Sequence, residues 1–119
     1  MTSITAPDLN TAFPRSGRDI LGGYAWLARL ADKVRAKHAG TDGDYVAYCP
    51  LSTGFLQRAG VHAADFDRLV KGGASNDDLV RYFDEHVDQA HRDAANSFVL
   101  NDMASHLDEQ DAEERSTSQ

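Results

Sequence analysis

The sequence of 119 residues holds one cysteine, three prolines and one tryptophan, and its apolar runs are only a few residues long. Each scarcity excludes something. A single thiol, Cys49, cannot close an internal disulfide, and its isolation removes every zinc site built on CxxC pairs. With mean hydropathy of -0.51 and no run near the roughly 20 apolar residues that cross a bilayer, no membrane span is expected. The opening Met-Thr-Ser-Ile-Thr-Ala-Pro-Asp has neither a positively charged start nor an apolar h-region, so no secretory signal is expected and the chain is read as cytoplasmic. At 13.0 kDa, with 41% hydrophobic and 26% charged residues, the composition is that of one ordinary globular domain.

Charge is abundant but uneven. The formal net charge is -7, yet residues 1–38 carry Arg15, Arg18, Arg29, Lys33, Arg35 and Lys37 against Asp8, Asp19 and Asp32, a local excess of +3. The other 81 residues total -10. An acidic partner would therefore meet the first third of the chain, while bulk nucleic-acid binding is disfavoured because the rest repels phosphate.

Residues 1–17 read as an extended arm with scattered anchors at Ile4, Leu9 and Phe13. From Asp19 the spacing of Ile20, Tyr24, Leu27, Ala31 and Val34 predicts an amphipathic helix to about His38, its regular part starting after Gly22-Gly23. Residues 39–44 are a turn cluster, and Tyr45-Val46-Ala47-Tyr48 has strand-like composition stopped by Pro50. Ser52 or Thr53 is the expected cap of a short helix over Gly54–Ala59, followed by a helix over Ala63–Lys71. Ser75 and Asp78 resemble a capping box ahead of Leu79, Tyr82, Phe83, His86 and Val87. A last helix reaches about His106 after a break near Asp88, and residues 108–119, without aromatic or branched apolar side chains, read as a disordered acidic tail. The expected architecture is mostly α: a compact single-domain bundle of four or five helices over residues 18–107, with one short extended segment near residues 45–48.

The strings Pro14-Arg15-Ser16-Gly17-Arg18, Leu21-Gly22-Gly23-Tyr24, Arg29, Asp32-Lys33, Arg35-Ala36, Tyr45, Tyr48 and Cys49-Pro50-Leu51, with Phe55-Leu56 and Gly60, carry a resemblance. Over roughly residues 8–87 the chain resembles a small bacterial family catalogued only as a domain of unknown function. The resemblance implies no activity and no catalytic residue. Members often carry Asp where this chain has Ser52.

The densest polar constellation is Arg15, Arg18, Arg29, Lys33, Tyr45, Tyr48 and Cys49, with Tyr24 on the same helix pattern. Arg29 and Lys33 are four apart on one helix face. If the segment over 45–48 folds back on that helix, these cations meet Cys49 at the start of the following helix. Such a corner would bind a small anion through cationic donors, backbone N–H groups and the helix dipole, and would lower the thiol pKa. The plainer reading makes Cys49 a small buried hydrophobe and pairs each basic residue with a carboxylate.

Residues 53–72 have helix-turn-helix spacing. Asp65 and Asp67 on the second helix argue against a DNA reader, because carboxylates facing phosphates cost affinity. Asp84, Asp88 and His91 match no closed metal set, so neither a metal nor a cofactor is expected. Tyr24, Tyr82, Phe83 and Phe98 read as core, while Trp26, offset from the helix stripe, is expected to cover the arm or face a partner. The leading functional expectation is an interaction or ligand-binding module for a small anionic ligand or a protein partner, with Arg15, Arg18, Tyr24, Arg29, Lys33, Tyr45, Tyr48 and Cys49 as ligand-binding candidates. A thiol-based enzyme or sensor using Cys49 is the first alternative, and a DNA-binding regulator the second.

Overall fold

A computed structural model describes residues 6–115, which form six α-helices and one π-helical segment around a shared core. The chain is mostly α, as expected, with one helix more than the expected four or five. The helices are α1 (Leu27–Ala39), α2 (Pro50–Ala59), α3 (Ala63–Lys71), α4 (Asn76–His86), α5 (Gln89–Ser97) and α6 (Ala104–Arg115).

Local chemistry sets most boundaries. Gly40 and Gly60 close α1 and α2 with φ near 76° and 78°, a left-handed conformation that costs glycine little. Ser75 accepts from the Asp78 N–H while Asp78 accepts from the Ser75 N–H, the reciprocal cap anticipated for α4. Asp88 caps α5 through the His91 N–H.

Three boundaries differ from expectation. The first helix starts only at Leu27, because residues 17–26 form turns closed by a backbone bridge between Leu21 and Tyr24, with Trp26 at φ 74°. The second starts at Pro50, not Gly54. Proline suits the first helical position, where its missing N–H has no partner to lose, and Cys49, rather than Ser52 or Thr53, is the N-cap. Residues 45–46 lie between turns at 43–44 and 47–48, and none of residues 45–48 pairs with a strand.

The C-terminal expectation also needs correction. The last predicted helix is split by the π-helical segment Phe98–Asp102, where the Met103 N–H reaches back to the Phe98 carbonyl. Residues 108–115, read from composition as disordered tail, complete α6. Leu107 anchors that helix in the core, and polar contacts described below hold its far end. The tail expectation for residues 116–119 falls outside the described residues, as does the anchor Ile4. Of the other arm anchors, Leu9 is buried, with its N–H donated to the Thr41 carbonyl, whereas Phe13 is exposed.

The core is built on aromatic edges. The rings of Tyr24, Phe55 and Phe66 each pack on Phe83, with centroids 5.0, 6.2 and 6.3 Å away, in mostly edge-to-face pairs. Burying each such side chain contributes about 1.5–3 kcal/mol. Helix α2 packs chiefly on α5, and α1 on α3, which sets the start of α2 beside the middle of α1. Among the described residues no helix is long and apolar enough to cross a membrane.

Candidate functional site

The packing of the α2 start against α1 joins residues 16 apart in sequence. Lys33 Nζ lies 3.5 Å from Cys49 Sγ. Lys33 is 3% exposed, and among the described residues its ammonium makes that one hydrogen bond and no salt bridge. Its other neighbour is the face of Trp26, 5.3 Å from the ring centroid. A buried ammonium with no carboxylate in salt-bridge range is costly, and the thiol is the nearest group that can compensate it.

The sulfur has three further supports. Ser52 Oγ lies 3.4 Å from Sγ, and the same oxygen accepts the Trp26 indole N–H at 3.0 Å. Because the serine oxygen is an acceptor toward Trp26, its O–H is free to point at sulfur. The backbone N–H groups of Leu51 and Ser52 also face the thiol, as expected at a helix N-cap. Burial pushes the Cys49 pKa up, but the Ser52 hydroxyl, the Lys33 charge and these N–H groups outweigh it, and the net shift is downward. For Lys33, burial dominates and lowers the pKa, with Arg29 repulsion adding to it and Cys49 and Glu114 opposing it. Cys49 itself is half-buried.

A second cluster adjoins the first. Arg29, 2% exposed, forms a two-pronged pair with Glu114 of α6, both N–O distances 2.8 Å. Tyr45 donates its O–H to the same carboxylate at 3.0 Å, and Arg115 adds a third donor at 2.8 Å while its other nitrogen donates to the Pro14 carbonyl. The Arg29 guanidinium lies 5.6 Å from the ring centroids of both Trp26 and Tyr45. Burial comes first for Glu114 and raises its pKa, yet Arg29, Arg115 and Tyr45 together bring it below the ordinary range. Burial and the Glu114 carboxylate push the Tyr45 phenol up to about 12.

The candidates from the sequence are thus divided. Arg29, Lys33, Tyr45 and Cys49 converge around Trp26. Arg15 does not join them as a free cation: it makes a two-pronged pair with Asp32 and donates to the Ala28 carbonyl. Arg18 pairs with Asp108 and Asp111. Tyr24 is buried in the aromatic core, 1% exposed, and is no part of the site. Tyr48 turns toward α3, donating to Asp67, which also meets His38 and Lys37. An open anion pocket of four free cations is therefore not what the chain forms, because its own carboxylates occupy three of them.

Asp67 bears on the helix-turn-helix reading as well. Residues 60–62 join α2 to α3, but α2 packs chiefly on α5 and α3 on α1, and Asp67 is turned onto α1 and Tyr48 rather than presented to a duplex.

Four residues of the cluster, Ser52, Trp26, Glu114 and Arg115, were not among the sequence candidates. Ser52 looked like a helix cap, and only its distance of three residues from Cys49 hinted at the thiol contact. Trp26 stood out by its offset, and it does cover the arm: its N–H donates to the Gly17 carbonyl, and its ring fills the space where a Gly17 side chain would be. Glu114 gave no signal, lying in a polar stretch where nothing distinguishes one carboxylate from the next.

No curated protein matches the chain. The resemblance carried by the opening motifs extends further than they do, through α6 to the C-terminal residues. The family model of a domain of unknown function, DUF5069, matches residues 11–119, and the chain belongs to that family.

Proposed function

We propose that this domain is a thiol-based, oxidant-responsive module in which Cys49 works as a thiolate held by Lys33. The observation that carries the reading is the buried Lys33 ammonium 3.5 Å from Cys49 Sγ, with no salt bridge among the described residues. A charge kept from water needs a counter-charge, and Cys49 stands within hydrogen-bond reach while Glu114 acts only from farther away. Ser52, the two N–H groups and the start of a ten-residue helix favour the same protonation state. A reducing compartment such as the cytoplasm would keep this thiol available for reaction.

Alkylation with iodoacetamide at neutral pH tests the reading. The expected result is that Cys49 reacts at least several-fold faster than a free cysteine peptide, and that hydrogen peroxide oxidises it without unfolding the chain. Complete protection of Cys49 in the folded protein would overturn it.

A second reading, a ligand-binding module for a carboxylate-bearing partner, draws on the Arg29, Tyr45 and Arg115 set. Glu114 of the chain itself shows the chemistry that set accepts. A partner would have to displace α6 first.

A further inference from the structure

Resting on that reading, the geometry points to a specific fate for oxidised Cys49: we propose that Lys33 resolves it by forming an intramolecular sulfenamide, a covalent bond between Lys33 Nζ and Cys49 Sγ. A sulfenic acid is normally resolved by a second thiol or by the backbone nitrogen of the following residue. Neither route exists here. The sequence contains no second cysteine, and residue 50 is proline, whose nitrogen carries no hydrogen and cannot form the cyclic product. The nitrogen placed to react is Lys33 Nζ, at 3.5 Å, on a flexible stem of four carbons whose terminus, among the described residues, makes no other hydrogen bond and lies over the Trp26 ring. Ser52 Oγ, at 3.4 Å, is a neutral hydroxyl with no base beside it and is the poorer nucleophile.

The atoms balance with one equivalent of hydrogen peroxide. The thiolate attacks a peroxide oxygen, the S–O bond forms as the O–O bond breaks, and the departing hydroxide takes a proton from the Lys33 ammonium to give water. That transfer leaves Cys49 as sulfenic acid and Lys33 as the neutral amine. The amine lone pair then attacks sulfur, the S–O bond breaks, and the second hydroxide leaves with the proton released from nitrogen, as water. Sulfur is oxidised by two electrons, peroxide is reduced to two waters, and the ion pair becomes a neutral S–N bond. Burial of Lys33 favours this end state, since the product removes the one charge in the site that lacks a carboxylate.

The test is intact-mass and peptide mapping of the full chain after limited peroxide treatment, without reductant. The expected product is two hydrogens lighter than the reduced protein. It yields one linked peptide pair joining Lys33 to Cys49, resists trypsin after Lys33, and reverts on addition of dithiothreitol. In K33R, which keeps the charge but lacks the amine, that product should vanish and sulfinic acid should accumulate at Cys49. Wild-type protein that oxidises at Cys49 to sulfenic or sulfinic acid with Lys33 unlinked overturns the cross-link and leaves the proposed function standing. Wild-type protein whose Cys49 neither oxidises nor alkylates overturns both.

Discussion

The indole N–H of Trp26 donates to the hydroxyl oxygen of Ser52 at 3.0 Å, and the same oxygen lies within reach of the Cys49 thiol. An oxygen that accepts from the indole keeps its own hydrogen free to donate to Cys49 Sγ, 3.4 Å away. Trp26 and Ser52 are both fully buried, so water cannot replace either partner.

Replacing that serine should therefore separate two effects. In S52A the indole N–H is left buried without an acceptor, costing about 1–3 kcal/mol in urea unfolding. The thiol also loses a stabilising donor, so its alkylation at neutral pH should slow several-fold while the fold persists. Unchanged alkylation would show that the hydroxyl does not face the sulfur.

The same Trp26 ring closes over Gly17. A Cβ built there would stand 2.6 Å from the indole and 2.7 Å from Leu107, and the indole is tied down by Ser52. G17A should lower stability by about 1–3 kcal/mol through overpacking. It should also loosen α6, whose core anchor is Leu107, and faster amide exchange in residues 104–115 would report that loosening.

How far the site could be read from sequence follows from which forces act locally. The capping box at Ser75, the break at Asp88 and the turn at Gly60 are short-range chemistry and were legible. The meeting of Arg29, Lys33, Tyr45 and Cys49 was legible only as a condition: a spacing of four puts Arg29 and Lys33 on one helix face, but the helix start at Pro50 rather than Gly54, which brings Cys49 beside Lys33, was not. Glu114 was not legible. Its role depends on an 85-residue separation from Arg29 and on one buried contact, Leu107, that fixes where α6 lies. Composition reports that residues 108–115 are polar, but not that three of their side chains meet buried or half-buried cations and Ser16. Tyr24 was read both as core and as a ligand-binding candidate; its ring packs on Phe55 and Phe83 in the core, and it precedes the helix, which starts only at Leu27.

Glu114 gives a prediction with a defined pH sense. Its folded carboxyl lies below the ordinary range, so the stabilisation is fully present above the unfolded value of about 4.3 and is lost as pH falls through the lowered folded value. Acidification should undock α6 before global unfolding, seen as early loss of amide protection in residues 104–115. E114Q should reproduce the undocking at neutral pH and cost up to about 3 kcal/mol, since Arg29 loses its charged partner in a buried position. Coincident loss of α6 and the rest of the fold would contradict this.

The claim on which the account turns is that the Lys33 ammonium holds Cys49 as a thiolate. The direct measurement is the rate of Cys49 alkylation against pH in the wild type and in K33M, which keeps the stem length and removes the charge. The wild-type midpoint should fall clearly below about 8.5, the value of an unperturbed thiol, and K33M should move it upward past that value while remaining folded. Identical midpoints in the two proteins would contradict the claim.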